Sequence, residues 1–287
     1  MHYFNKKVCC VLITYNPDFA VLIESLSILA PQLDEIIIVD NSDYNIPFEL
    51  DESIVLLKNG KNLGIAKAQN IGVKYCLDHN ADFILFMDQD SIASPNLIEH
   101  LIEDYSTLSL TSIIGAIGAM PYNRSNNVTY QTSTYRKKSN ILQVKSMISS
   151  GSFVSTDILR QVGGMDETLF IDMVDSEWCW RAAHKLNCTF YLDTNCMLSH
   201  SLGKCEVNFL GKRIPLHSPN RMFYRFRNYF LLLPRGYVPF MWKLRYPFSN
   251  LIRLFLCLCV FSNKKSYLNF ALKGAKEGLC FLLKLKK

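Results

Sequence analysis

Apolar, β-branched-rich runs of strand length recur along the first half of the chain, at Val8–Thr14, Glu35–Asp40, 54–57, Phe83–Asp88 and 113–118. Between most of them lie helix-length segments. Phe19–Leu29 and 66–79 carry apolar residues at helical spacing, and Ser94-Pro95 ahead of 96–105 reads as an N-cap followed by proline at the first helical position. Strands alternating with helices predict a mainly parallel, doubly wound sheet with helices on both faces. The polar stretch 123–140 reads as a loop, and order returns at 145–155. A helix is predicted over 175–186 and a strand over 189–192, followed by a long aromatic and basic segment.

Composition narrows the class. With 287 residues, 49% hydrophobic and 20% charged, the chain can bury a full core, which excludes disorder and suits one large domain, alone or with an appendage. Two lysines followed by a short apolar run open the chain, the pattern of a first strand rather than a signal peptide. The ten cysteines lack any CxxC spacing, so they suggest reduced thiols and neither a disulfide framework nor a zinc site. The sequons at Asn123, Asn127 and Asn187 therefore carry little weight.

Charge is unevenly placed: residues 243–287 hold ten Lys/Arg against the single Glu277, and the rest of the chain is slightly acidic. Such a tail can meet nucleic acid or an anionic membrane surface. The run 251–261 is apolar apart from Arg253 but too short to span a bilayer, so the region from about Trp242 is expected to lie on a membrane face, with a core helix as the alternative.

In doubly wound sheets ligands bind beyond the carboxyl ends of the strands, and here those ends are polar. They read Thr14-Tyr15-Asn16, Asp40-Asn41-Ser42 and Asp88-Gln89-Asp90. Asp88 and Asp90 are carboxylates two apart at a strand end, hard oxygen donors suited to Mg²⁺ or Mn²⁺ with phosphate oxygens, although acidic turn residues are common without a metal. Asn62, Gly64 and Asn70 lie where a loop enters a helix, a place for phosphate or ribose oxygens or simply a capped turn. Asp40 can accept the imide N–H of a pyrimidine base. Asp166, Glu167, Asp172, Asp175 and Glu177 crowd around Trp178, too many acids for routine capping, though at least two suit solvated first-turn positions. His200 could complete a metal shell, yet a lone histidine is more often structural.

Together TYN, VDNS at 39–42, NLGIAKAQNIG at 62–72, MDQDS at 87–91, SGSF at 150–153 and GGMDE through FIDMVDSEWCWRA resemble family 2 inverting glycosyltransferases of the GT-A fold, over about residues 8–230. FID.VD.EW followed by H..G most resembles bacterial rhamnosyltransferases of cell-surface polysaccharide (O-antigen) assembly. The resemblance implies a GT-A domain over 1–230, and the apolar and basic pattern beyond it a membrane-associating helical region over 231–287. It places Thr14 and Asp40 at the nucleotide base, Asp88 near the ribose, and Asp90 on the divalent ion, with Asp88 and His200 as further metal contacts. Tyr15, Asn16, Asn62, Gly64, Asn70, Asp166, Glu167, Asp172, Trp178 and Arg181 become expected substrate-binding residues. Asp175 matches the general base. The family's usual Glu-Asp pair reads Val174-Asp175 here, which leaves Asp172 as a rival.

These roles imply single displacement at the anomeric carbon, with a uridine or thymidine diphosphate sugar as donor. dTDP-L-rhamnose is favoured, and inversion at its β linkage would give an α-rhamnoside. A lipid-linked or saccharide acceptor and the inner face of the cytoplasmic membrane complete the expectation, with no nucleic acid. A nucleotidyltransferase would need an early Gly-rich basic loop, absent here, and a nucleic-acid binder using the basic tail would leave the clustered acids unexplained.

Overall fold

A computed structural model describes residues 6–44, 51–123, 128–129, 134–138, 140–199, 205–209 and 212–284. The chain divides into two compact units, the first comprising residues 1–167 and 178–201 and the second 168–177 and 202–287.

The first unit is built on β1 (Val8–Thr14), α1 (Phe19–Leu29), β2 (Glu35–Asp40), β3 (Ile54–Lys58), α2 (Ile65–Asp78), β4 (Phe83–Asp88) and α3 (Leu97–Leu108). It continues through β5 (Ile114–Asn123), β6 (Val128–Thr129), β7 (Thr134–Lys138), β8 (Ile141–Val144), β9 (Ser152–Ser155) and α4 (Thr156–Val162). Helix α5 (Val174–Leu186) and β10 (Thr189–Ser199) follow. The sheet runs β3-β2-β1-β4-β9-β5-β10-β8-β7, with β6 on β5. Strands β3, β2, β1 and β4 are mutually parallel, as are β5 and β10, while β9 lies antiparallel between β4 and β5.

Every residue of β1 is buried, which is why it reads as an unbroken apolar run: a central parallel strand is covered on both faces. Val8, Cys10 and Leu12 point into a core with Leu22 and Leu26 of α1 and Leu97 and Leu101 of α3. On the other face α2 comes down so closely that a Cβ at Gly72 would overlap the Val11 side chain. The doubly wound, mainly parallel expectation therefore holds.

Several boundaries differ. Helix α3 starts at Leu97 with Asn96 as its cap, because Ser94 and Pro95 form a separate turn in which the Ser94 carbonyl accepts from Leu97 N at 3.2 Å. The segment 123–140 is not simply a loop, since β6 and β7 are strands within it; a polar strand such as Thr134–Lys138 at a sheet edge lacks the apolar alternation that marks a half-buried one. Strand β10 runs past residue 192 to Ser199, through a bulge between Asp193 and Met197 that hides its continuity in the sequence.

The second unit holds the hairpin β11 (Cys205–Phe209) and β12 (Lys212–Leu216), then α6 (Pro219–Leu232), α7 (Phe240–Val260) and α8 (Lys264–Lys284). Its core joins Leu216, Met222, Leu256, Cys257, Tyr267 and Ala271. Gly274 and Gly278 let α8 lie against α6: a Cβ at Gly278 would come 2.7 Å from the Arg227 carbonyl oxygen. Helix α7 is 21 residues long rather than the eleven of its apolar run, and it contains Pro247. Among the described residues no helix is long and apolar enough to cross a membrane.

Candidate active site

Strand order β3-β2-β1-β4 reverses direction at β1, so the crevice beyond the carboxyl ends of β1 and β4 is the topological switch point. Register brings the polar lips together there: Thr14 pairs with Asp40 and Ile13 with Asp88. Asp40 is 1% exposed, and its Oδ1 accepts from Thr14 Oγ1 at 2.7 Å, from Ser42 Oγ at 2.7 Å and from Ser42 N at 3.1 Å. Three donors on one oxygen lock the carboxylate in place. Gln89, between the two acids, clips the opposite lip: its Oε1 accepts from Tyr15 N at 2.6 Å and its Nε2 donates to Tyr15 O at 3.1 Å. Asn16, left-handed at φ 48°, donates its N–H to Ser42 Oγ at 2.8 Å. Asp88 N donates to Ser150 Oγ at 3.1 Å, and Ser150 Oγ donates to Ser91 Oγ at 2.7 Å, while the Asp90 side chain is exposed. Two carboxylates at this turn suit a hard divalent cation.

The loop into α2 is equally ordered. Asn41 Oδ1 accepts from Leu63 N at 3.3 Å and from Asn59 Nδ2 at 2.9 Å, and Asn62 Oδ1 accepts from Gly64 N at 2.9 Å. Gly64 caps α2 at φ 84°, a conformation costly to other residues. Asn70 is committed to the acidic segment: its Oδ1 accepts from Met165 N at 2.7 Å, and its Nδ2 donates to Met165 O and Glu167 Oε1, each at 2.9 Å. Burial pushes the Glu167 carboxyl up, but Lys67 at 2.8 Å and Asn70 outweigh it and hold it below its ordinary value.

Trp178 and Arg181, expected at the substrate, spend polar atoms on the backbone. Trp178 Nε1 donates to Gly163 O at 2.9 Å, and Arg181 donates to Val162 O at 3.0 Å and Gly164 O at 2.7 Å. They hold the turn that presents Asp166 and Glu167. Gly163 takes φ 90° in that turn.

In the second unit the segment before α5 is strained: Phe170, Asp172 and Met173 all have left-handed φ, at 62°, 65° and 69°. Asn228 of α6, fully buried, holds it by donating Nδ2 to the carbonyls of Leu169 at 3.0 Å, Ile171 at 2.8 Å and Asp172 at 2.9 Å. Arg227 adds bonds to Thr168 O at 2.6 Å and Leu169 O at 3.0 Å. Asp172, with its side chain 7% exposed, pairs with Arg221 at 3.1 Å and Arg225 at 3.6 Å. Burial raises its pKa, and the two arginines more than reverse this, leaving it below the usual carboxylate range. Asp175 lies half-buried in the first turn of α5, its Oδ1 accepting from Ser176 N at 2.7 Å. Glu177 is fully buried and accepts from Tyr237 Oη at 2.6 Å and Arg235 Nη1 at 3.2 Å, which makes it a structural acid.

The Glycosyl transferase family 2 profile matches residues 9–162, the span that contains the switch-point crevice. The chain belongs to glycosyl transferase family 2. A dTDP-rhamnosyl transferase, RfbF of Shigella flexneri, is 32% identical over 289 residues, 96% of either chain. Among solved structures, S. aureus TarS aligns at TM-score 0.54 with 14% identity, over 96% of this chain and 50% of TarS. GalNAc-T7 with UDP, GalNAc and Mn²⁺ aligns at TM-score 0.52 with 11% identity, over 85% of this chain and 54% of GalNAc-T7. The chain thus spans about half the length of these two proteins, and the likeness to them is one of fold.

His200, the expected third metal contact of the transferase, lies outside the described residues. The group of metal-ligand type among the described residues is a different one, His100 of α3 with Asp193 and Cys196 of β10, whose ligand atoms lie within 4.8 Å of one another. Burial first, then the Asp193 charge, pushes the carboxyl of neighbouring Asp104 up to about 6. An open cleft lined by Lys6, Asp82, Tyr105 and Arg160 sits at the amino ends of β1 and β4, the wrong end of the sheet for a donor. Of the residues that shape the site, Gln89, Ser42 and Ser150 stand inside motifs visible in the sequence. Asn228, Arg221 and Arg225 carry no such signal.

Proposed function

We propose that this glycosyltransferase transfers L-rhamnose from dTDP-rhamnose, with inversion, to a lipid-linked saccharide acceptor in cell-surface polysaccharide synthesis. The observation that carries the reading is the locked Asp40 carboxylate beside Thr14 at the switch point, in a chain similar over 96% of its length to a dTDP-rhamnosyl transferase. With Oδ1 occupied by Thr14 and Ser42, Asp40 offers Oδ2 to the imide N–H of thymine or uracil. The loop at Asn62 and Gly64 and the helix start it leads into suit ribose and phosphate oxygens.

Asp88 and Asp90 would hold a Mg²⁺ or Mn²⁺ ion, which when bound neutralises the charge that develops on the departing diphosphate. Asp175 accepts the proton of the acceptor hydroxyl. Asp172 is the poorer base of the two because Arg221 and Arg225 stabilise its ionised form and so reduce its affinity for a proton. Asp166 and Glu167, on the turn held by Trp178 and Arg181, are assigned to the sugar.

The C-terminal region, 231–287, is assigned to the inner face of the cytoplasmic membrane. Exposed Phe240, Leu244, Phe248, Leu251 and Phe255 recur every three to four residues along one side of α7, and exposed Leu268, Leu272, Leu279 and Leu283 recur at four- and seven-residue steps on α8 among lysines. A screen of dTDP- and UDP-sugars with Mn²⁺, read by thermal shift and product formation, tests the donor. Stabilisation by dTDP-rhamnose above other sugars supports the reading, and equal indifference to every pyrimidine nucleotide sugar refutes it.

A further inference from the structure

A bulge in β10 gathers donor atoms that a regular strand would separate. Asp193 pairs with Ala119 of β5 and Met197 with Met120, so residues 194–196 are inserted between adjacent rungs. Residues three apart in a regular strand face opposite sides of the sheet, but here Asp193 and Cys196 both reach His100 of α3. Asp193 and Cys196 are 2% and 1% exposed, and His100 is half-buried. Asp104, four residues on from His100 and so on the same face of α3, meets Asp193 with its carboxyl. Its Oδ2 is buried without a hydrogen-bond partner. Asp193 is held through Oδ1, which accepts from Asn195 N at 2.8 Å. Among the described residues no lysine or arginine ion-pairs with Asp104 or Asp193, and the base that acts on Asp104 is His100. Two adjoining carboxyls, an orphaned oxygen and a buried thiol are costly together unless a cation completes them.

We propose that His100, Asp193 and Cys196, with Asp104 as the fourth donor, bind a zinc ion that fastens α3 to the β10 bulge. Imidazole, thiolate and carboxylate together select Zn²⁺ over the hard Mg²⁺ or Mn²⁺ that suits the oxygens of Asp88 and Asp90. Zinc bonds of about 2.0 to 2.3 Å place tetrahedral donors roughly 3.3 to 3.8 Å apart, so side-chain shifts of about 1 Å close the set. Coordination takes the proton from the Cys196 thiol and releases it to solvent, and the thiolate and the Asp193 carboxylate then match the charge of the dication. A histidine and an aspartate four apart on a helix, with an aspartate and a cysteine three apart on a bulge, have no Cys-x-x-Cys spacing, so the cysteine pattern alone carries no zinc signal. The place suits a structural ion. Strand β10 ends at Ser199, whose backbone pairs with Ile92 at 2.9 Å in both directions, and Ile92 lies between the Asp88–Asp90 turn and α3. An ion at the bulge ties together the two segments that leave this bridge.

The test uses the full-length protein, stripped with EDTA and then freed of it. Zn²⁺ is expected to raise the Tm and to saturate at one ion per chain, with excess Mg²⁺ failing to compete. Co²⁺ in its place should give a thiolate-to-cobalt charge-transfer band and the intense visible bands of a tetrahedral site. Cys196→Ala should abolish the charge-transfer band, and His100→Ala, at a half-buried helix position, should weaken Zn²⁺ binding at least about tenfold while leaving the Tm in EDTA unchanged. Asp104→Asn should raise the Tm in EDTA at pH 8, by removing one of two adjoining carboxylates, and should shrink the rise that Zn²⁺ produces. Asp90→Ala, and Cys259→Ser with Cys280→Ser at the exposed thiols, should both keep the cobalt band. A band that survives in Cys196→Ala, or that is lost in Asp90→Ala or in the exposed-thiol variant, means an adventitious ion only and overturns the site. Unchanged Zn²⁺ affinity in His100→Ala overturns it too, and decides alone if Cys196→Ala does not fold. So does a wild-type protein with no saturable Zn²⁺ shift. None of these readouts involves the sugar donor, so their failure leaves the donor reading standing.

Discussion

Replacing Asn228 should unfasten the strained segment ahead of α5. The side chain is fully buried, and its two amide hydrogens are shared among three carbonyls at 2.8 to 3.0 Å. Asn228→Ala removes about two net hydrogen bonds, at about 1 kcal/mol each, and leaves buried carbonyls unsatisfied at about 1 to 3 kcal/mol. The expected loss is about 3 to 5 kcal/mol, reduced where the left-handed residues relax toward ordinary φ once released. Asn228→Asp keeps the shape but puts an anionic oxygen against the same three carbonyl oxygens, so even with about 1 kcal/mol returned by Arg227, which now donates to Asn228 Oδ1 at 3.0 and 3.1 Å, its loss should be at least that of Asn228→Ala, about 3 to 5 kcal/mol. Urea unfolding of the full chain, followed by fluorescence, measures this; Trp242 reports on the second unit and Trp178 and Trp180 on the first. Displacing the loop that leads into Asp175 should also lower kcat by about 100-fold while dTDP affinity stays within about twofold. An Asn228→Asp protein within 1 kcal/mol of wild type and with normal turnover would refute the clamp.

Four further outcomes follow from the same geometry. Asp175→Asn should reduce kcat by about 10²- to 10⁴-fold with donor binding retained, whereas normal turnover there beside an inactive Asp172→Asn that still binds donor would move the base to Asp172. EDTA, or Asp90→Ala, should abolish transfer, because a diphosphate among carboxylates needs a screening cation; undiminished turnover in either case contradicts it. Asp104, raised to about 6 from 3.8, binds its proton more tightly when folded, so its contribution is full below pH 3.8 and lost as pH rises through 6. Asp104→Asn should therefore stabilise the protein by about 1 to 2 kcal/mol at pH 8, after allowance for its partial exposure, and by almost nothing at pH 4; equal effects at both pH values in urea melts would exclude the shift. Leu251→Glu with Phe255→Glu should abolish binding to anionic liposomes, and a wild-type protein that never binds them, even at low salt, ends the membrane assignment.

The sequence exposed the part of the fold whose signals are local. Strands β1, β2 and β4 are covered on both faces, so burial itself writes them as apolar runs ending in polar residues, and the crevice beyond them could be read from those ends alone. Strand β9 escaped prediction for the opposite reason. Its four residues, SFVS, are too few to show a period, and its antiparallel place between β4 and β5 depends on partners far away in sequence. The site divides along the same line. Thr14, Asp40 and Asp88 meet because adjacent parallel strands bring like positions together, so a reader of the sequence can pair them. Asp172 cannot be judged that way: its chemistry is set by Arg221 and Arg225, 49 and 53 residues on, and its backbone by Asn228, which in RFRNYF looks like any polar residue inside a helix. Of two aspartates three residues apart in one motif, only the packing of α6 distinguishes an ion-paired acid from a candidate base.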